Sequence, residues 1–163
     1  LLMIFITLGS QKFQFNRLLK EVDKLISDGV ITDEVFAQKG YSDYQPENFE
    51  FKNFLDRDEF ADIMKKSNLV ITHGGTGAII GAVKKGKKVI AVPRLAKYGE
   101  HVDDHQIQLI KQFEGMGIIE PCYDSDYLGR AYNVCIGKKY NSYESNTNRI
   151  INNIEKYIEE INK

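Results

Sequence analysis

The sequence has no excess charge of one sign: 22 Lys and Arg stand against 23 Asp and Glu, for a net charge of −1. Basic residues are mixed with acidic ones along most of the chain, and binding through nucleic-acid phosphates needs a basic surplus, so that partner class is excluded from the reading. Cysteine is scarce. Cys122 and Cys135 have twelve residues between them and no CxxC or metal-ligand spacing, so they read as reduced thiols of an intracellular protein rather than as a disulfide. No stretch approaches the ~20 apolar residues of a membrane span. The apolar start, Leu1 to Leu8, has no basic segment and runs straight into Gly9-Ser10-Gln11, which fits a buried first strand better than a signal peptide. No repeat, low-complexity tract or internal boundary divides the chain. Neither a GxGxxG after the first strand nor a Walker loop ending in GK[ST] is present, so those cofactor classes are disfavoured and no cofactor is expected.

What is present is enough for one folded domain: 163 residues, 42% hydrophobic and 28% charged. Short apolar runs alternate with amphipathic stretches, the pattern of an α/β protein with a Rossmann-like, doubly wound parallel sheet. Strands are predicted at Met3–Leu8, Glu34–Gln38, Phe49–Phe54, Leu69–Thr72, Lys88–Val92 and Ile118–Glu120. Between them, Phe15, Leu18, Leu19, Val22 and Ile26 recur at helical spacing, and Phe60, Ile63 and Met64 follow Asp56 or Asp58 as N-caps. Ala78–Lys85 and Asp103–Phe113 complete the helical set. Beyond a polar connection, residues 144–162 form a predicted amphipathic helix whose stripe runs through Ile150, Ile151, Ile154, Tyr157, Ile158 and Ile161. That stripe either packs on the domain's own sheet or docks on another domain or subunit.

In an open doubly wound sheet, ligands bind beyond the carboxyl ends of the strands. Three loops fall there: Gly9 to Phe13, His73 to Gly77, and Pro93 to Gln106. Glycines in His73-Gly74-Gly75-Thr76-Gly77 let backbone N–H groups approach an anion, and the start of the next helix favours negative charge. The loop therefore reads as a phosphate cradle; the plainer reading is a tight strand-to-helix turn with His73 satisfied by backbone. His73 would donate a hydrogen bond, and at its ordinary pKa of ~6.5 it is mostly uncharged at neutrality. Asp104-His105-Gln106 opens a helix facing the same crevice and has the chemistry to bond sugar hydroxyls, or simply to cap the helix. His101, Asp104 and His105 invite comparison with a zinc site, but further ligands at conventional spacing are missing and no metal is expected. The lysines of Lys84-Lys85-Gly86-Lys87-Lys88 complement a helix C-terminus or contact an anionic membrane surface.

The order strand, His-Gly-Gly-Thr-Gly, helix, Gly-Lys-Lys, strand, Val-Pro, loop, Asp-His-Gln resembles the donor-binding half of GT-B glycosyltransferases. These are the family 28 C-terminal domain and its relatives, a group that includes the bacterial lipid-linked N-acetylglucosaminyl transferase. It is most similar to the short, single-half members: the Alg13-type subunit and capsule or exopolysaccharide subunits of the PssE and EpsF kind. The opening Thr7-Leu8-Gly9-Ser10-Gln11-Lys12-Phe13 resembles their start as well. The resemblance implies a single GT-B half-domain over residues 1–163, with Gly74, Gly75, Thr76 and Gly77 on a nucleotide diphosphate and His73 beside them. It implies that Asp104, His105 and Gln106 face the donor sugar, and that Ser10 and Gln11 border the cleft. Many relatives carry a ribose-binding glutamate where this chain has Gly81, and Glu100 is the substitute considered.

The resemblance further implies a hexosyltransferase subunit that takes a UDP-sugar and, with inversion, passes its sugar to a lipid-linked glycan for surface polysaccharide. A membrane-associated partner would supply the acceptor-binding half and the base, would dock on the stripe from Ile150 to Ile161, and would hold this cytoplasmic chain at the inner face of the membrane. The competing readings are a non-catalytic partner that stabilises a transferase, and a self-contained nucleotide-sugar enzyme.

Overall fold

The computed structural model describes residues 3–143 and 154–160. Six strands form one all-parallel sheet: β1 (Met3–Thr7), β2 (Glu34–Gln38), β3 (Glu50–Lys52), β4 (Leu69–His73), β5 (Lys88–Val92) and β6 (Glu120–Pro121), in the order β3-β2-β1-β4-β5-β6. Parallel strands require crossovers; helices α1 (Asn16–Ser27), α2 (Arg57–Lys66), α3 (Thr76–Lys84) and α4 (His105–Gly115) provide four of them, residues 39–49 join β2 to β3 without a helix, and α5 (Leu128–Gly137) follows the last strand.

The strand sequences are apolar on both faces because both faces are covered. Ile4, Ile6, Leu8, Ile71, Ile90 and Val92 turn to one side, where they meet Leu18, Leu19 and Val22 of α1 and Leu128, Tyr132 and Cys135 of α5. Phe5, Val70, Val89 and Ala91 turn to the other, against Met64 of α2, Ile79 and Val83 of α3, and Leu109, Ile110 and Phe113 of α4. Such side chains each contribute roughly 1.5–3 kcal/mol by leaving water. The central strands are the most buried, and β3 and β6 are short edges.

β1 and β4 end within one residue of the sequence reading, at Thr7 and His73, while β3, β6 and one helix depart further from it. β3 is confined to three paired residues, and the sixth strand begins at Glu120: Ile118 and Ile119 are buried in the second cluster before the chain reaches the sheet edge. Pro121 lacks an N–H, which an edge strand tolerates. Helix α5 escaped the sequence reading although Leu128, Ala131, Tyr132 and Cys135 have helical spacing, because Gly129, Asn133 and Gly137 weaken the local signal. Both cysteines are buried and unpaired, and burial pushes the Cys122 thiol up to about 12. Residues 154–160 of the expected C-terminal helix are helical. Ile158 is buried in this domain's own second cluster with Ile154 packed beside it, while Tyr157 is 64% exposed. Ile150, Ile151 and Ile161 lie outside the described residues. No helix among the described residues is long and apolar enough to cross a membrane.

Candidate functional site

In this strand order the crossovers reverse direction between β1 and β4, and the crevice beyond their carboxyl ends is the topological switch point. Gly9 follows β1, and Gly74 and Gly75 follow His73, the last residue of β4. The His73 side chain bridges the two turns. A Cβ on Gly75 would lie 2.3 Å from His73 Cε1, and one on Gly9 would lie 2.9 Å from His73 Nε2, so both positions need glycine for the ring to fit. Gly9 also has φ +72°, which other residues rarely adopt.

His73 is 6% exposed, and burial drives its pKa from 6.5 to about 3, with Arg94 and His101 adding repulsion. The ring is therefore neutral at physiological pH. Helix α3 starts at Thr76, with Gly75 at the N-cap, and among the described residues no side chain caps its first-turn N–H groups at the positive end of the helix. A Cβ on Gly77 or on Gly81 would meet nothing within 4 Å. Among the described residues, space is thus left beside the helix at these two positions.

The other expected residues divide. Ser10 and Gln11 are exposed on the loop after β1. The Thr76 hydroxyl donates to the carboxylate of Glu155 from the C-terminal helical segment. Asp104, His105 and Gln106 meet different partners. Exposed Asp104 accepts from the Ala96 N–H at 2.8 Å, His105 pairs through Nδ1 with Asp103, and Gln106, 2% exposed, points inward. Asp103, not Asp104, lies between the histidines: one ligand atom each from His101, Asp103 and His105 falls within 4.8 Å of the others. Asp103 is already engaged, accepting from the His105 backbone N–H at 3.0 Å as well as from its ring.

Glu100, considered as the substitute for a ribose-binding glutamate, is held inside the protein. It is fully buried, Arg17 grips both its oxygens at 3.0 Å, and the Leu95 N–H donates to it at 2.9 Å. With its acceptors consumed, no carboxylate from either position considered reaches the cleft.

The sequence reading missed Arg94, which follows the proline after β5. It is 1% exposed and donates to the carbonyls of Leu8, Phe13, Gln14 and Glu100, thereby shaping the loop after β1 from 80 or more residues away. Burial lowers its pKa to about 10 against the pull of Glu100. Local periodicity holds no trace of such a role; an arginine inside an apolar strand-end run was the only cue.

The sequence model of the glycosyltransferase family 28 C-terminal domain matches residues 3–161. The chain belongs to this family. No curated protein matches it. Among solved structures, the family 28 domain is similar to the glycotransferase of kitacinnamycin, with a TM-score of 0.61 at 15% identity, covering 96% of this chain and 38% of that one. It is also similar to MurG of Acinetobacter baumannii (TM-score 0.55, 19% identity, 78% of this chain and 40% of that one). SnogD from Streptomyces nogalater gives a TM-score of 0.54 at 19% identity, over 77% of this chain and 32% of that one. These likenesses establish the fold as a Rossmann-like GT-B half-domain, and the family 28 chain spans about two-fifths or less of each of these structures.

Proposed function

We propose that this chain is the donor-binding subunit of a two-component glycosyltransferase, which binds a UDP-sugar and works with a membrane-associated partner carrying the acceptor half. The product would be a lipid-linked glycan of capsule or exopolysaccharide biosynthesis. The observation that carries the reading is the His73-Gly74-Gly75 turn at the switch point, set at the uncapped N-terminus of α3 in a family 28 domain. A diphosphate laid there meets open backbone N–H groups, the positive helix end and the neutral imidazole of His73.

The chemistry follows from charge. In an inverting transfer, an acceptor hydroxyl attacks the anomeric carbon, the bond to the diphosphate breaks, and negative charge grows on the departing oxygens. Donors already aimed at that position stabilise the transition state more than the ground state. The proton of the acceptor hydroxyl goes to a base on the partner. Thr76 contributes its hydroxyl only after Glu155 releases it, so donor entry and movement of the C-terminal segment are linked in this reading.

Calorimetry of UDP-sugars with the chain and with its complex tests the proposal: saturable binding is expected, and its absence from both sinks donor binding. Turnover by the chain alone would instead favour a self-contained enzyme. A non-catalytic stabilising role has two observations in its favour, the lack of a ribose-binding carboxylate at Gly81 and the engagement of Glu100 with Arg17. It would be upheld by a partner active and stable only in complex while neither binds donor through this chain.

A further inference from the structure

Gln106 lies in the first turn of α4, buried, with its amide spent on two neighbouring loops. Oε1 accepts from the backbone N–H of Gly74 at 2.9 Å and from that of Arg94 at 2.9 Å. Nε2 lies 3.2 Å from Nδ1 of His73. Backbone N–H groups only donate, so the two bonds to Oε1 decide which end of the amide is oxygen and turn the NH2 group toward the imidazole. An amide NH2 also only donates. Nδ1 must then be the lone-pair nitrogen of the ring, and a neutral imidazole so arranged carries its single proton on Nε2. Nε2 is the atom that stands against Gly9 across the β1–β4 crevice, as the 2.9 Å approach of a Gly9 Cβ shows.

We propose that Gln106 is a positioning residue that locks His73 in the Nε2–H tautomer and turns that N–H toward the crevice between β1 and β4. The step from this lock to donor binding rests on the diphosphate reading of the glycine turn. His73 would there offer an anion a hydrogen-bond donor without a charge. The opposite tautomer would present a lone pair to phosphate oxygens. Gln106 simultaneously fixes the spacing of the loops after β4 and β5, because one oxygen holds an N–H from each. Burial, which lowers the His73 pKa to about 3, leaves the ring uncharged and makes the tautomer the variable that matters.

The test is a long-range proton–nitrogen NMR correlation on the full chain labelled with 15N-histidine, without ligand, with the His73 signals assigned from His73→Gln. The proton is expected on Nε2. In Gln106→Glu, one carboxylate oxygen keeps the Gly74 and Arg94 bonds while the other can only accept, so the proton is expected to move to Nδ1. Affinity for UDP, used as the probe, is expected to fall by about tenfold or more as a donor becomes a lone pair. Gln106→Met, which neither donates nor accepts at that point, is expected to populate both tautomers. A wild-type proton on Nδ1 overturns the lock, as does an Nε2–H that persists in Gln106→Glu; the wild-type spectrum decides even if a variant fails to fold. Tautomers that respond as expected while UDP binds to no form would leave the lock standing and remove the donor reading.

Discussion

Acidification reports on His73 directly. In the folded chain its pKa is about 3, set by burial and then by the nearby cations, against 6.5 for an ordinary imidazole. Because the folded value is depressed, the unfolded chain takes up the proton first. The stability that neutral His73 confers is fully present above 6.5, declines as pH falls through that value, and is gone below about 3. At about pH 5 the unfolded imidazole is almost wholly protonated and the folded one almost not at all, so stability drops by roughly 2 kcal/mol relative to about pH 7.5. His101 has its pKa lowered as well, first by burial. Urea unfolding of wild type and of His73→Gln at both pH values isolates the His73 share as the difference between their losses. The variant is expected to lose roughly 2 kcal/mol less than wild type. Equal losses would mean that His73 takes up its proton in the folded chain without cost, and would refute the enclosed, neutral ring.

Other perturbations test separate parts of the account. Gly75→Ala sets a Cβ 2.3 Å from His73 Cε1, so the ring must leave its slot; a loss of roughly 1–3 kcal/mol in thermal or urea unfolding and weaker UDP binding by calorimetry are expected. Glu155→Gln removes a carboxylate from the Thr76 hydroxyl, and UDP affinity is expected to rise roughly two- to fivefold, worth ~0.4–1 kcal/mol at a helix N-terminus; unchanged or weaker binding would contradict the competition. Arg94→Met leaves the carbonyls of Leu8, Phe13, Gln14 and Glu100 without their shared donor, and unfolding experiments are expected to show a loss of about 3–5 kcal/mol. Asp23→Ala deletes the acceptor for Tyr44 Oη at 2.6 Å and for the N–H groups of Glu47 and Asn48 at 2.9 Å; roughly 2–3 kcal/mol should go, with faster amide exchange across residues 41–48.

The sheet was readable because its signal is local. Glu34–Gln38 and Lys88–Val92 carry their apolar runs between clear polar breaks and were bounded as observed, and Asp56 caps α2 as its position suggested, accepting from the Glu59 N–H at 2.8 Å. The strand, glycine turn and helix from Leu69 to Lys84 were readable for the same reason, since they are contiguous. What stayed hidden depends on partners distant in sequence. Gln106 looked like a sugar ligand because a polar residue at a helix start usually faces solvent; only the fold brings Gly74, Arg94 and His73 around it. Glu100 looked available until Arg17, 83 residues away, closed on it. The Glu155 contact with Thr76 spans 79 residues and sets an acidic group where the sequence offered only a hydroxyl.

The proposed seat of the donor diphosphate is the turn after β4. Backbone amide chemical shifts of the 15N-labelled chain during titration with UDP test it most directly. Saturable shifts centred on Gly74 to Ala78, with a second group at Gly9 to Gln11 across the crevice, are the expected result. Saturable shifts elsewhere, with the amides of Gly74 to Ala78 unmoved, would contradict it.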